Sequence, residues 1–313
     1  MYKVFVDGSA GTTGLQILQR LEKRNDIELI VLPDELRKDE RAKKEAINKS
    51  DVTILCLPDE AAKASVALCE NENTIIIDAS TAHRTNESFA YGFAELSPEF
   101  RNKIKTSKRI ANPGCHASGF CAAVYPLTAS GIMGKDYPVT ASSITGYSGG
   151  GKSMIADYNE NGQKESMCSP RFYSLNLTHK HLPEMSKVCS LENAPVFTPI
   201  VSKIYNGMLV SIPIVNRLLN KKMTAEEIHG FYKEYYKNEY FVRVMPFGGK
   251  EALENGFLPA TECNGTNFLD IFVFGNESQT LVVSRLDNLG KGASGAAVQN
   301  MNIALGLDEK ISL

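Results

Sequence analysis

Asn112-Pro113-Gly114-Cys115-His116-Ala117-Ser118-Gly119 puts a thiol where thiols become nucleophiles. Pro113 fixes φ and holds Asn112 extended, and Gly114 lets the backbone turn just before the cysteine. From Ala117 to Tyr125 the chain is almost continuously apolar, which predicts a buried helix with Cys115 at its N-terminus. The unpaired amides and the dipole at a helix start favour thiolate over thiol. Such a thiolate attacks an acyl carbon and holds it as a thioester. A free cysteine is otherwise a small buried hydrophobe, and that is the plain alternative.

An acid or base for this thiol is offered by Leu177-Thr178-His179-Lys180-His181-Leu182-Pro183-Glu184-Met185. In an extended segment His179 and His181 share a face, which suits one proton-handling group and one substrate contact. Two histidines and a carboxylate are also metal-ligand types. We assign no metal here.

The elements that would position these groups begin with an apolar strand, Tyr2 to Val6. Gly8-Ser9-Ala10-Gly11-Thr12-Thr13-Gly14 follows, and then Leu15, Ile17, Leu18 and Leu21 at helical spacing. Strand, glycine loop and helix is the context that gives a dinucleotide fingerprint meaning. Gly8 would make the turn, Gly11 would admit the pyrophosphate to the backbone, and Gly14 would pack helix on strand. Ser9, Thr12 and Thr13 complete the proposed contacts. The spacing is G-x-x-G-x-x-G, not the usual G-x-G-x-x-G. After a second strand, Ile27 to Leu32, Asp34 lies where an acidic residue holds the ribose of NAD. Arg37 and Lys38 lie where a 2′-phosphate would be held instead. A solvated loop is the alternative for all three.

Val52 to Leu57 and Thr74 to Ile77 are further apolar strands, separated by a helix over Ala61 to Cys69. This alternation predicts a doubly wound parallel sheet, with ligands at the carboxyl ends of its strands. Gly8, Leu57, Pro58 and Ser80 are therefore expected to face one crevice, joined by Cys115. A basic, helix-like run from Arg101 to Arg109 leads into the cysteine elbow.

Past the elbow the pattern changes. Val139 to Thr145 alternates like a half-exposed strand. Gly146-Tyr147-Ser148-Gly149-Gly150-Gly151-Lys152-Ser153 matches a P-loop literally. The three adjacent glycines and Tyr147 argue instead for a substrate-phosphate or structural loop. Met208, Val210, Ile212 and Ile214 line one face of a late strand, and Phe268, Asp270, Phe272 and Phe274 line one face of another. Both suggest an antiparallel sheet. Between them Ala225 to Lys237 reads as a structural amphipathic helix with Tyr and Lys on its exposed side. The small residues from Gly290 to Ala297 allow a final helix to pack closely and return to the first domain.

With 313 residues the chain has room for one large or two medium domains, and its formal net charge of −2 gives no reason to expect nucleic acid or an acidic membrane surface. No apolar run reaches membrane-spanning length, and Met1 to Val6 lacks the h-region of a signal peptide. The seven cysteines are odd in number, scattered and without a CxxC pair, as expected of reduced thiols in a cytoplasmic enzyme.

Taken together, these motifs resemble the N-acetyl-γ-glutamyl-phosphate reductases, in their shorter variant, within the aspartate-semialdehyde dehydrogenase-like group. The resemblance runs essentially end to end. It rests on Gly8-x-x-Gly11-x-x-Gly14, Asp78-Ala79-Ser80 with Arg84, Ala111 to Cys115, and Ser148 to Gly151. It also rests on His179-Lys180-His181-x-Pro183-Glu184 and Asp287-Asn288-Leu289-x-Lys291-Gly292-Ala293 to Gln299-Asn300. Longer members usually carry an aromatic after the second glycine of the first motif. Its absence here suits the short variant.

The resemblance implies an α/β fold. A Rossmann-type dinucleotide-binding domain would span residues 1–114, completed by a C-terminal helix within 289–313. An α/β catalytic and oligomerisation domain with a mostly antiparallel sheet would span 115–288. The resemblance also implies NADP(H) as cofactor, a homo-oligomer (dimer or tetramer), and reductive dephosphorylation of a small acyl phosphate in arginine biosynthesis. Cys115 is the implied nucleophile and His181, ahead of His179, the proton-handling group. His179, Ser80, Arg84, Asn112, Ser148 and Arg171 are assigned to substrate; Arg84 is equally readable as structural. Asn288 and Gly292 join the glycine loop, Arg37, Lys38, Leu57, Pro58 and Ser80 as cofactor contacts. The rival readings are an aspartate-semialdehyde dehydrogenase, a cofactor-free cysteine hydrolase or acyltransferase, and a non-catalytic NADP-binding regulator.

Overall fold

Strands that are apolar on both faces need cover on both faces, and the N-terminal third obtains it by alternating them with helices. A computed structural model describes residues 1–313. The chain divides into two units, Met1–Gly114 with Ala293–Leu313, and Cys115–Gly292. The first unit opens with β1 (Tyr2–Asp7), α1 (Thr12–Leu21), β2 (Ile27–Ile30), α2 (Glu40–Lys49), β3 (Val52–Leu55) and α3 (Asp59–Ala67). It continues with β4 (Ile75–Asp78), β5 (Ala90–Tyr91), α4 (Pro98–Thr106) and β6 (Arg109–Ala111).

Its six strands run parallel in the order β2-β1-β3-β4-β6-β5. One face packs Val4, Ile54 and Ile77 against Ile17 and Leu21 of α1. The same cluster takes Ala297, Val298 and Met301 from the last helix of the chain. The other face packs Phe5, Leu55 and Ile76 against Ala46, Ile47 and Ala62. The basic run before the elbow is not one helix. Ser107 bonds both backbone groups of Arg109 through its hydroxyl, and this turn ends α4 and starts β6.

The second unit comprises α5 (Cys115–Ala129), β7 (Thr140–Gly146), α6 (Gly151–Asn161), α7 (Glu165–Cys168), β8 (Arg171–Phe172) and α8 (Leu182–Val188). Then come β9 (Val196–Ser202), β10 (Met208–Val215), α9 (Ala225–Tyr235), β11 (Val242–Val244), β12 (Leu269–Gly275) and β13 (Gln279–Leu286). The chain ends in α10 (Gly295–Ala304), part of the first unit. The seven strands lie in the order β11-β12-β13-β10-β7-β9-β8. Pairs β7–β9 and β11–β12 are parallel and the others antiparallel. The sheet is therefore mixed, with four of its six pairs antiparallel. The connection from β7 to β9 carries three helices, long enough for the crossover that parallel pairing requires.

β12 also departs from its expected alternation, because Leu269 to Val273 are all buried. α9 packs on this strand. On the Asp270 face, the Asp270 carboxylate takes ion pairs from Arg243 (2.7 Å) and Arg285 (3.0 Å), and the Arg285 guanidinium lies over Phe272.

α5 is buried at every residue from His116 to Val124. Gly119 lets it lie close on the sheet, since a Cβ there would stand 2.6 Å from Val210. Pro126 has no N–H for the Ala122 carbonyl four residues back, and its ring crowds that turn. Two hydroxyls serve this turn, one of them at the carbonyl left without its donor. Tyr236 donates to the Ala122 carbonyl (2.8 Å) and Tyr232 to that of Ala123. Both tyrosines are thus buried against α5, not on the exposed side of α9 as their spacing suggested. Tyr236→Phe should strand a buried carbonyl and lower the unfolding free energy by about 1–3 kcal/mol in urea denaturation.

Candidate active site

The elbow before the cysteine is fixed by hydrogen bonds within the first unit. The Asn112 N–H donates to the Asp78 carbonyl (2.7 Å). Its side chain donates to the Ala293 carbonyl (3.0 Å) and accepts from Asn300 Nδ2 (3.0 Å). Arg84 donates through Nε to the Asn112 carbonyl (2.9 Å) and through its terminal nitrogen to the Ala79 carbonyl (3.0 Å). Asn112 is only 1% exposed and its amide is engaged at both ends, so it braces the elbow. Two of the Arg84 nitrogens are likewise given to backbone carbonyls. Ser80 is similarly occupied, donating its hydroxyl to Asp78 (2.7 Å), which also holds His83 (2.6 Å).

Cys115 opens α5 in the second unit and is partly exposed. Burial pushes the thiol of Cys263 up to about 12, the inert state of a core cysteine. Gly292 lies against the nucleophile candidate, where a Cβ would stand 2.7 Å from the Cys115 Cβ. Ser148 is buried, and its hydroxyl accepts from Asn288 Nδ2 (3.0 Å), whose Oδ1 accepts from the Gly207 N–H (2.9 Å). Asn288 and Gly292, assigned to cofactor, thus belong to the surroundings of Ser148 and Cys115 in the second unit. Arg171 in β8 donates to the Tyr158 hydroxyl (2.9 Å) and lies over that ring, with its Nε buried and unpaired.

The histidines meet through a residue that sequence reasoning passed over. His116 follows the cysteine and is 3% exposed. Its ring centroid lies 5.2 Å from that of His179, 5.6 Å from His181 and 5.2 Å from Phe197. Its Nδ1 is 2.8 Å from Ser143 Oγ and its Nε2 is 2.8 Å from the Tyr173 hydroxyl. Burial first, then the charges of His179 and Lys180, hold its pKa down to about 3. Burial, then Lys180, holds His179 down to about 4. His179 and His181 are not on an extended strand. His181 is the helical N-cap of α8, and its N–H donates to His179 Nδ1 (3.1 Å). A tight turn, not alternation, brings their rings to 4.7 Å. Ser143 carried a readable signal, a polar residue on the inward face of an alternating strand. Nothing in the chain order pointed to Tyr173.

In the first unit the glycine loop has the form a dinucleotide needs. Gly8 has φ +83°, and a Cβ on Gly14 would stand 2.5 Å from the Gly8 carbonyl. The N-cap of α1, Gly11, provides no side-chain acceptor, and the first turn, with Thr12 and Thr13, carries no acidic residue. Its amides are thus available to an anion. A cavity of about 260 Å³ adjoins this loop, bounded by Gly8, Ser9, Leu57, Arg37, Lys38 and Lys43 among others. Pro58 stands one step away as the N-cap of α3. Asp34 pairs with Arg37 (2.7 Å), and Arg37 keeps a buried, unpaired Nε. This cationic edge fits a phosphorylated ribose better than a bare one.

The sequence matches two family models. Residues 3–105 match the semialdehyde dehydrogenase NAD binding domain, and residues 115–288 the semialdehyde dehydrogenase dimerisation domain. The chain is 46% identical over 318 residues to N-acetyl-gamma-glutamyl-phosphate reductase 2 of a Nostoc species, covering 99% of both chains. It is 44% identical over 309 residues to the N-acetyl-gamma-glutamyl-phosphate reductase of Mesorhizobium japonicum, covering 97% of this chain and 99% of that one. In fold it is similar to aspartate semialdehyde dehydrogenase II of Vibrio cholerae, with a TM-score of 0.74 at 14% identity, covering 98% of each chain. The Francisella tularensis enzyme gives 0.73 at 15%, covering 97% of this chain and 99% of that one.

The histidine cluster makes stability depend on pH with a definite sign. Unfolded, His116 and His179 take protons near 6.5; folded, they resist until about 3 and about 4. The unfolded state therefore binds more protons in that window. Their contribution is whole above about pH 6.5 and is lost as pH falls towards 4 and below. Urea denaturation at pH 7.5 and 4.5 should show this loss, and a smaller one for His116→Gln.

Proposed function

The chain belongs to the N-acetyl-gamma-glutamyl-phosphate reductase family, and from that premise we propose that Cys115 is the nucleophile of its reaction. The reaction is reduction of N-acetyl-L-glutamyl 5-phosphate to N-acetyl-L-glutamate 5-semialdehyde and phosphate, a step of arginine biosynthesis. The observation that carries the reading is the partly exposed cysteine at the first residue of a buried helix, beside a histidine cluster.

The Cys115 thiolate is favoured by the amides that open α5. It adds to the acyl carbon, and phosphate departs to leave a thioester on sulfur. NADP(H), when bound, supplies the hydride that converts this thioester to the aldehyde level. His181 gives a proton to the former acyl oxygen as the thiohemiacetal forms and takes it back as that adduct collapses to aldehyde and thiolate. His179 faces the substrate. Held well below its usual pKa, it serves as a neutral hydrogen-bonding group. Ser148, steadied by Asn288, is our candidate for the departing phosphate. Arg171, with a buried Nε still to satisfy, is our candidate for the substrate carboxylate. Arg84 and Asn112 act one step back, by holding the elbow.

For the cofactor, we assign the pyrophosphate to the Gly8–Gly14 loop and the 2′-phosphate to Arg37 and Lys38. The match to a dimerisation domain supports an oligomer, which we take to be a dimer or tetramer. No helix is long and apolar enough to cross a membrane. We place the reaction in the cytoplasm, in keeping with seven cysteines that form no disulfide.

The reverse reaction tests the reading. N-acetylglutamate semialdehyde with phosphate and NADP⁺ should form NADPH, and aspartate semialdehyde should not. Turnover of the second substrate alone would keep the mechanism and overturn the pathway. Cys115→Ser should abolish turnover with NADPH affinity nearly intact; loss of both would make the residue structural. His181→Asn should slow turnover by ~10²–10⁴-fold, more than His179→Asn does. Arg37→Ala should weaken NADPH binding while leaving NADH binding almost unchanged.

A further inference from the structure

Three side chains beside the nucleophile form a line of hydrogen bonds whose direction is fixed by counting protons. Ser143 is fully buried, and its hydroxyl has a single hydrogen-bond partner, His116 Nδ1 at 2.8 Å. A serine hydroxyl sealed from water must place its hydrogen on an acceptor. Nδ1 therefore accepts and carries no proton. A neutral imidazole then bears its proton on Nε2, which donates to the Tyr173 oxygen 2.8 Å away. The depressed pKa of His116 agrees, since it keeps the ring neutral at pH 7. The Tyr173 oxygen accepts this bond, so its own hydrogen must point elsewhere. No other residue of the protein bonds to that hydroxyl.

Tyr173 stands at the site. Its ring centroid is 5.9 Å from that of His179, and the charge of the Cys115 thiolate reaches its phenol. Burial first, and then that charge, raise the phenol above its ordinary range, so it keeps its proton throughout the working pH. It is therefore a donor and not an acid or base.

Building on the reductase reading, we infer that Tyr173 donates its hydroxyl hydrogen to the acyl oxygen of the substrate as the Cys115 thiolate adds, and that Ser143 and His116 are positioning residues that aim this donor. In that step the sulfur–carbon bond forms and the carbonyl π pair moves onto oxygen. The Tyr173 proton stays on Tyr173 and serves only to stabilise the developing negative charge. Collapse of the oxyanion expels phosphate. The order Ser143 to His116 to Tyr173 ensures that the donor is never turned inward.

The test has one arm independent of activity. ¹⁵N NMR of histidine-labelled wild-type protein at pH 7 should show His116 neutral with its proton on Nε2. A proton on Nδ1 would overturn the inference outright. In the reverse assay with N-acetylglutamate semialdehyde, phosphate and NADP⁺, Tyr173→Phe should lower kcat by ~10²-fold with little change in either KM. Ser143→Ala should give a smaller loss, with a mixed His116 tautomer. Unchanged kcat in Tyr173→Phe, or an effect confined to the KM for phosphate, would also overturn it. An inert wild type showing the Nε2–H tautomer would instead sink the reductase reading while upholding the hydrogen-bond order.

Discussion

A helix buried along its length cannot send a spare carbonyl to water, and α5 has that of Ala122 to place because Pro126 sits inside it. The sheet side takes one of its other carbonyls, where the Ser284 hydroxyl donates to that of Gly119 (2.8 Å). The α9 side takes those of Ala122 and Ala123 through two tyrosines. Satisfying this helix dictates much of the second unit. It requires a glycine at the closest approach to β10, a polar serine on β13, and a tyrosine pair spaced four apart on α9. What results is a rigid rod whose first residue is the cysteine. Its position is set by packing many residues away from any chemistry.

The turn into that rod is governed separately, by amide side chains and a guanidinium spent on backbone. Arg84 and Asn112 look like substrate residues in a sequence, because arginine and asparagine so often are. Here they satisfy carbonyls of a loop with no regular ladder to join. A buried arginine can be used on structure as readily as on ligand, and only its partners decide which. The cluster around His116 makes the same point in reverse. A histidine next to a nucleophile is easily read as a spectator. Its two hydrogen bonds instead make it the centre of the polar network.

The parallel sheet, its glycine loop and the helix beginning at Cys115 were legible because each rests on local signals. These were apolar runs, glycine spacing, and a proline–glycine step. The turn before Cys115 and the nearness of His179 to His181 were legible for the same reason, though the geometry that joins the two histidines was not. A turn capping α8 brings the rings together, where alternation along a strand was expected. The mixed sheet was not legible, since β7 and β9 pair across some fifty residues and no local pattern records their direction. Nor was the burial of Tyr232 and Tyr236. Their reason is a proline more than a hundred residues earlier in the chain.

The first unit is built from two stretches of chain that are far apart in sequence, 1–114 and 293–313. Ala297, Val298 and Met301 cover one face of its sheet, while Asn300 bonds the Gly92 carbonyl and Asn112. All four are made only after the 178 residues from 115 to 292 (292 − 115 + 1) have left the ribosome. At synthesis rates of about 5–20 residues per second, that is a wait of roughly ten to forty seconds. Throughout it one side of the nascent sheet is covered only in part, by α1, while the contiguous second unit waits for no later segment. The later-made domain is thus free to finish first. The earlier one is complete only when translation supplies its last helix.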